Sequence, residues 1–451
     1  MVASIFAAAL AVAGAAPSAA QSALSLQHGA LTFIADDYPA ALQQAKAQHK
    51  PLFIDFWATW CHSCLSMQRF VLADPGMAPV KDAVVWLSIE VEQEKNRVAV
   101  ERYPIDGLPT FLVIDPEKET VVARWLGSAA LQDFRGFVQE AAAGYQAKGK
   151  LEPAAEATRA GDEARRKGDL SAAAAAYRKA LSLSKADDPL RAERLILLAT
   201  SDARLGTKEA ARRCAELGDR ELNHTGNSAI AADFASTVAA CATDLAKGDG
   251  LRSKIIGLAI AKLKTLTADE TAPLAADDRS DALASLADLY DGQGKHQDAV
   301  AAMQARAAVL EKAAAAAPDP TFASTFDAHR TDTYLYLGEP QKAEALLAGR
   351  EKEMADDYNP PARLARVLFE QKKLADAEAA IDRALGKMTR GPRRVGILGL
   401  KVKILAAAGK PVDAVLHEQL EVMRALPKNQ RRPETEKKLE DQLAVAAKPV
   451  Q

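Results

Sequence analysis

The chain has 451 residues, 49% of them apolar and 26% charged, with a formal net charge of −2. That is long enough for two or three domains with cores of their own, and it leaves no chain-wide basic field, so neither nucleic acid nor anionic lipid is expected as a partner. Its four cysteines, Cys61, Cys64, Cys214 and Cys241, are too few for a disulfide-built scaffold.

The opening run, MVASIFAAALAVAGAAPSAAQSALSLQ, reads as a secretory signal over residues 1–20. Its apolar core, residues 5–16, is shorter than the roughly 20 residues a bilayer-spanning helix needs. Ser18 and Ala20 put small side chains before a cut near residue 20. The usual basic start is missing, because no Lys or Arg precedes Lys46. An Ala-rich leader or a misplaced start codon gives the same pattern. The expectation is a periplasmic or secreted protein, with a cytoplasmic one as the alternative. No later segment approaches the roughly 18 uninterrupted apolar residues of a membrane span, so no stable membrane insertion is expected.

Residues 21–149 alternate helix-like and strand-like segments. DDYPAALQQAKAQHK has helical spacing, PLFIDFWA is a continuous buried strand, and CHSCLSMQRFVL returns to a helical period with Met67, Phe70 and Val71 on one face. AVVWLSIEV follows as a second buried strand and QEKNRVAVERY as a helix. TFLVIDPEKETVVARWLG predicts a hairpin turning at Asp115 to Lys118, and SAALQDFRGFVQEAAAGY a closing helix. Continuous apolar strands between helices predict a sheet covered on both faces.

The chemistry concentrates in FIDFWATWCHSCLSM, residues 53–67. A cysteine in the first turn of a helix meets unpaired backbone N–H groups and the positive end of the helix dipole. Its pKa falls from about 8.5 into a range of roughly 3.5 to 7.5. That makes Cys61 an exposed thiolate nucleophile. Cys64, one turn on, is near enough to close a disulfide and shielded enough to act as the resolving thiol. A metal clip would need two further ligands, and Cys214 and Cys241 lie in another domain without a second Cys-x-x-Cys, so no metal is expected. Asp55 interrupts an apolar strand, where a buried carboxylate is costly without a purpose; an outward-facing strand residue is the other reading.

These segments resemble the thioredoxin superfamily. FIDFWATWCHSC, followed at the right distance by YPIDGLPTFLVID, carries the likeness through the tryptophan-flanked cysteine pair, the Asp six residues before it and the Gly-x-Pro-Thr before the next strand. More closely, the stretch from His49 to Leu87 resembles the DsbD C-terminal-domain thioredoxins and their single-domain relatives. The resemblance implies that Asp55 is the buried acid that relays a proton for Cys64. It also implies a cis-proline at Pro109, with Leu108 offering backbone hydrogen bonds to a bound peptide and Trp60 flanking the site. His62 and Ser63 depart from the usual residues between the cysteines, and Leu65 replaces the familiar Lys. An imidazolium at His62 would make the couple more oxidising, whereas a ring pointing into solvent would do little.

Residues 150–451 are helical and Ala-rich. AGDEARRKGDLSAAAAAYRKAL aligns with a tetratricopeptide pattern through Gly161, Ala164, Gly168, Ala173, Tyr177 and Ala180. The same frame, a turn residue five positions before an Ala, recurs at Gly206 and Ala211, Gly294 and Ala299, Gly338 and Ala343, Lys372 and Ala377, and Gly409 and Ala414. Successive turns are 34 to 44 residues apart except for 88 between Gly206 and Gly294, which leaves room for one degenerate repeat. Paired helices stacked into a solenoid follow, with an Ala-rich bundle of another kind as the alternative. Cys214 and Cys241 fall on neighbouring helices, where a disulfide or two buried thiols both fit. His224, His296, His329 and His417 are scattered singly and read as surface residues. ARRKG, TRGPRR and NQRRPETEKK read as solvated helix ends or linkers.

The fold class expected is an α/β thioredoxin fold followed by an all-α tetratricopeptide-like solenoid. The function expected is exported thiol:disulfide exchange on client proteins, with a thiol-disulfide electron donor or acceptor and a peptide or protein ligand for the solenoid. No cofactor beyond the Cys61–Cys64 pair is expected. A binding scaffold with an idle thioredoxin domain is the competing reading.

Overall fold

A computed structural model describes residues 25–103, 105, 107–147, 152–186, 188, 190–388, 391–426, 430–431 and 433–446. The expected signal segment and the expected boundary at 149/150 lie outside the described residues.

The N-terminal domain is a six-stranded sheet: β1 (Ser25–His28), β2 (Leu31–Ala35), β3 (Leu52–Trp57), β4 (Val85–Glu90), β5 (Thr110–Asp115) and β6 (Thr120–Leu126), in the order β1-β2-β4-β3-β5-β6. β2, β4 and β3 are parallel, and β5 runs antiparallel to β3 and pairs with β6 as the expected hairpin. The hairpin of β1 and β2 was not legible, because SLQHGALTFIA is too short and too mixed to carry a strand period. Helices α1 (Tyr38–Gln48), α2 (His62–Ser66), α3 (Arg97–Arg102) and α4 (Leu131–Gln146) flank the sheet. α2 continues without a break into a π-helical stretch, 67–72.

Strand alternation divides the core between the two faces. Leu52, Ile54 and Phe56 pack with Tyr38, Ile89 and Val100 on one face, and Phe53 packs with Phe33, Met67, Leu72, Phe111 and Phe134 on the other. Asp55 shares the face of Phe53, beneath the helix that starts after Cys61. Register fixes it between Ser88 of β4 and Phe111 of β5.

The rest is helical: α5 (Pro153–Arg166), α6 (Leu170–Leu183), α7 (Arg191–Leu205), α8 (Lys208–Glu221), α9 (Ala229–Thr243), α10 (Gly250–Ala268), α11 (Ala276–Gly292), α12 (His296–Ala315), α13 (Pro320–Ala323), α14 (Asp327–Tyr336), α15 (Pro340–Glu353), α16 (Asn359–Glu370), α17 (Leu374–Lys387), α18 (Pro392–Ala407), α19 (Asp413–Ala425) and α20 (Pro433–Ala446). The pair α9 and α10 fills the 88-residue interval. The turn residues Gly168, Gly206, Gly294, Gly338, Lys372 and Gly409 all have φ between 61° and 78°, the left-handed conformation that closes a helix end. Ala173, Ala211, Ala299, Ala343 and Ala377 are buried at the helix contact. Ala414 is exposed, against expectation. The turn after Gly409 contains Pro411 and is longer by two residues, so α19 starts late and Leu416 takes the buried position. Gly161 is needed for close approach, since a Cβ there would lie 2.5 Å from the ring of Tyr177.

The solenoid wraps the thioredoxin-like domain. Leu190, Ala192, Ile196 and Ile230 join the core of the sheet face that carries Phe134 and Phe137. Further along, the first helices of three pairs, α11, α16 and α18, reach the edge that carries α2 through Asp277, Asn359 and Arg393. Part of the solenoid's surface is thus covered by the protein's own thioredoxin-like domain.

Candidate functional site

Cys61 caps α2 with extended backbone, φ −83° and ψ 98°, and Cys64 lies in the helix's first turn. The two are joined as a disulfide with Cα atoms 5.2 Å apart. The backbone N–H of Cys64 donates to Cys61 Sγ at 3.2 Å, and Ser63 Oγ lies 3.6 Å from the same sulfur. Helix donors therefore face the sulfur that a thiolate charge would occupy.

Asp55 is 1% exposed. Gln68 Nε2 donates to Oδ2 at 3.1 Å, while Oδ1 has no hydrogen-bond partner among the described residues. Burial pushes this carboxyl up to about 7, against the opposing effect of the Gln68 amide. The exposed-strand reading of Asp55 does not hold. Gln68 escaped the sequence reading, although a polar residue four positions after Cys64 on the buried helix face was a usable signal.

The Leu108–Pro109 bond is cis, and Leu108 packs with Trp57 and Trp60 against the Ala58, Cys61 and Cys64 cluster. Trp60 also lies under the guanidinium of Arg393, 5.4 Å from the ring centroid.

Cys61 is only 4% exposed, so the nucleophile expected at the surface is enclosed. The side chains packed on it are those of its own domain, Trp57, Ala58, Trp60, Val91 and Leu108, and solenoid residues dock around that cluster. Asn359 Nδ2 donates to Thr59 Oγ1 at 3.2 Å, Arg69 Nη2 donates to the Thr321 carbonyl at 3.0 Å, and Phe70 stacks edge-on against Phe322 at 5.3 Å. Tyr358 Oη donates to Glu92 at 2.8 Å, and the backbone N–H of Arg393 to the same carboxylate at 3.2 Å. Of the TRGPRR run, Pro392, Arg393 and Arg394 open α18, a helix end as expected, but Arg393 docks on the thioredoxin-like domain instead of facing solvent.

His62 neither points into solvent nor stands as an isolated charge. Its Nδ1 lies 3.0 Å from Oδ2 of Asp277, and its ring centroid 3.9 Å from that of His329. Burial opposes the imidazolium, but Asp277 outweighs it and holds His62 above its ordinary pKa. Asp277, whose burial alone would raise it, is held well below the carboxylate range by the two imidazoles. His329 is 5% exposed, not the surface residue its isolated position suggested, because α14 carries it onto Asp277 and Asp281. His224, His296 and His417 are exposed. Cys214 of α8 and Cys241 of α9 form a second, buried disulfide with Cα atoms 6.0 Å apart.

A family model described as thioredoxin-like matches residues 33–116. The thiol:disulfide interchange protein DsbD of Pseudoalteromonas atlantica is 30% identical over 82 residues, 18% of this chain and 14% of that protein. DsbD 2 of Pseudomonas aeruginosa is 32% identical over 100 residues, covering 21% and 17%. Protein disulfide-isomerase 1 of Dictyostelium discoideum is 29% identical over 91 residues, covering 20% and 24%. The chain thus spans less than a quarter of the length of these relatives. Among solved structures, a tetratricopeptide repeat protein from Parabacteroides merdae aligns with 66% of this chain and 99% of its own, at a TM-score of 0.39 and 17% identity. No helix among the described residues is long and apolar enough to cross a membrane.

Proposed function

With residues 33–116 forming a thioredoxin-like domain, we propose that this protein is an exported thiol:disulfide oxidoreductase acting on protein substrates. The observation that carries the reading is the Cys61–Cys64 disulfide at a helix start, with the Cys64 N–H on Cys61 Sγ and the protonatable Asp55 buried on the same side of the sheet. In the reduced protein, the Cys61 thiolate attacks a client disulfide and expels one client thiolate. Cys64, deprotonated through Asp55, then attacks the Cys61 sulfur of the mixed disulfide and releases the second. Two electrons pass to the client, and a partner dithiol restores the pair by the reverse steps. Trp60, Leu108 and Pro109 line the approach for an extended client segment, while His62 and Ser63 tune the couple. No cofactor beyond the cysteine pair is required.

Because solenoid residues dock at Thr59, His62, Arg69 and Phe70 beside the cysteine pair, the solenoid governs which clients reach it. The N-terminal apolar run and the Cys214–Cys241 bridge support an oxidising compartment. Dithiol-driven reduction of insulin tests the reading. The full chain should accelerate it, Cys61→Ser should abolish the acceleration, and Cys64→Ala should accumulate mixed disulfides through Cys61. The enclosure of Cys61 favours a second reading, a scaffold with an idle pair, and a rate equal to that of the dithiol alone would establish it.

A further inference from the structure

His62, Asp277, Asp281 and His329 each present one donor atom, and the four atoms lie within 4.8 Å of one another. From this convergence we infer that the junction between α2, α11 and α14 is a divalent transition-metal site, with zinc as the fitting ion. The inference does not depend on the exchange chemistry, since none of the four residues is a cysteine.

Three observations carry it. Asp277 and His329 are more than nine-tenths buried, so their polar atoms are not serviced by bulk solvent. Oδ1 of Asp277 has no hydrogen bond among the described residues, although it lies 3.1 Å from His329 Nδ1. That contact is on the ring nitrogen away from Nε2, so Asp277 Oδ1 orients the His329 imidazole while Oδ2 faces His62 Nδ1. The spacings also agree with a small coordination sphere. Tetrahedral zinc with bonds of roughly 2.0–2.1 Å holds its donors about 3.3 Å apart. His62 Nδ1 to Asp277 Oδ2 is 3.0 Å, and His329 Nε2 to Asp281 Oδ1 is 3.3 Å. Only the longer diagonal separations have to close.

The donor set selects the ion. Two imidazole nitrogens with two carboxylate oxygens suit zinc and its first-row neighbours, whereas calcium and magnesium take nearly all-oxygen spheres. Supporting residues are in place around His329: Ser280 Oγ lies 3.1 Å from its Nδ1 and itself accepts from Arg306 Nε at 2.9 Å. Such outer partners fix the ring of a ligating histidine.

His62 directly follows Cys61, so a metal held by His62 and by two solenoid helices ties the solenoid across the mouth of the cysteine pair. Sequence could not reveal the site, because its ligands come from positions 62, 277, 281 and 329.

The test is calorimetric titration of zinc into the tag-free, chelator-stripped full chain with both disulfides intact, so that no thiolate competes. One zinc per chain with a Kd of about 10 µM or tighter is expected, with no heat from magnesium or calcium at the same concentrations and an absorption band of tetrahedral cobalt when Co²⁺ is substituted. Asp281→Asn, at a half-exposed position that a folded chain tolerates, should weaken binding at least about tenfold, and His329→Gln by more. Circular dichroism confirms that each variant is folded, and Asp281→Asn alone decides if His329→Gln is not. Absence of zinc binding below about 100 µM, or an affinity unchanged in folded Asp281→Asn, overturns the inference.

Discussion

His62 Nδ1 lies 3.0 Å from Oδ2 of Asp277, a residue 215 positions further along the chain. The residue that follows the first cysteine of the pair is therefore oriented by the solenoid, and its charge is matched by a buried carboxylate before it can act on Cys61. The same contact makes access to Cys61 a property of the docked assembly. Four expectations follow from this arrangement and from the packing around it.

Phe322 fastens the solenoid to the helical stretch that follows the cysteine pair by stacking on Phe70 and lying under the guanidinium of Arg69, 4.7 Å away. Phe322→Ala should loosen that contact, at a cost of about 1–3 kcal/mol, without touching the exchange residues. The reduced protein should then be alkylated at Cys61 several-fold faster than the parent. Identical rates would mean that Trp60 and Leu108, not the solenoid, shield the sulfur.

Asp55 gives a signed pH dependence. Its pKa rises from 3.8 to about 7 in the folded protein, so the folded state holds its proton more tightly. The stability linked to that proton is full below about 4 and is lost as pH climbs through 7. Asp55→Asn should match the parent near pH 4 and exceed it at pH 8 by up to about 4 kcal/mol in denaturant unfolding. The same variant should lose the inflection near pH 7 in the release of mixed disulfides. A release profile unchanged by the substitution would remove Asp55 from proton transfer.

Gly161 has no room for a side chain, and Tyr177, whose Oη donates to Asp162 at 2.7 Å, is held in place against it. Gly161→Val should cost about 2–4 kcal/mol by forcing the ring away, measured as a lowered urea midpoint. Gly168→Ala strains a left-handed turn instead and should cost about 1 kcal/mol.

Cys214 and Cys241 close a loop of 27 residues between α8 and α9. Replacing both with Ala should lower stability by about 3–4 kcal/mol under oxidising conditions, the loop-closure entropy for that length. Insulin reduction should be unaffected, which separates this bridge from the Cys61–Cys64 pair. A large loss of activity would tie solenoid integrity directly to catalysis.

By itself the sequence determined what is local. Continuous apolar strands, a helical period after Cys61 and the Gly-x-Pro-Thr segment specify the sheet and the cysteine pair, because hydrophobic period and helix-end chemistry act over a few residues. The repeat frame was equally legible. Even Lys372 was found at a left-handed turn, since its place relative to Ala377, and not its side chain, marked it. The frame failed at Ala414, where two added turn residues shifted the start of α19. Tertiary structure decided everything that joins distant positions: the enclosure of Cys61, the docking of Arg393 on Trp60 and Glu92, and the meeting of His62 with Asp277, Asp281 and His329. A lone histidine on a polar helix carries no record of which surface will cover it. That depends on which helices the stacking of repeats brings over α2, here α11 and α14.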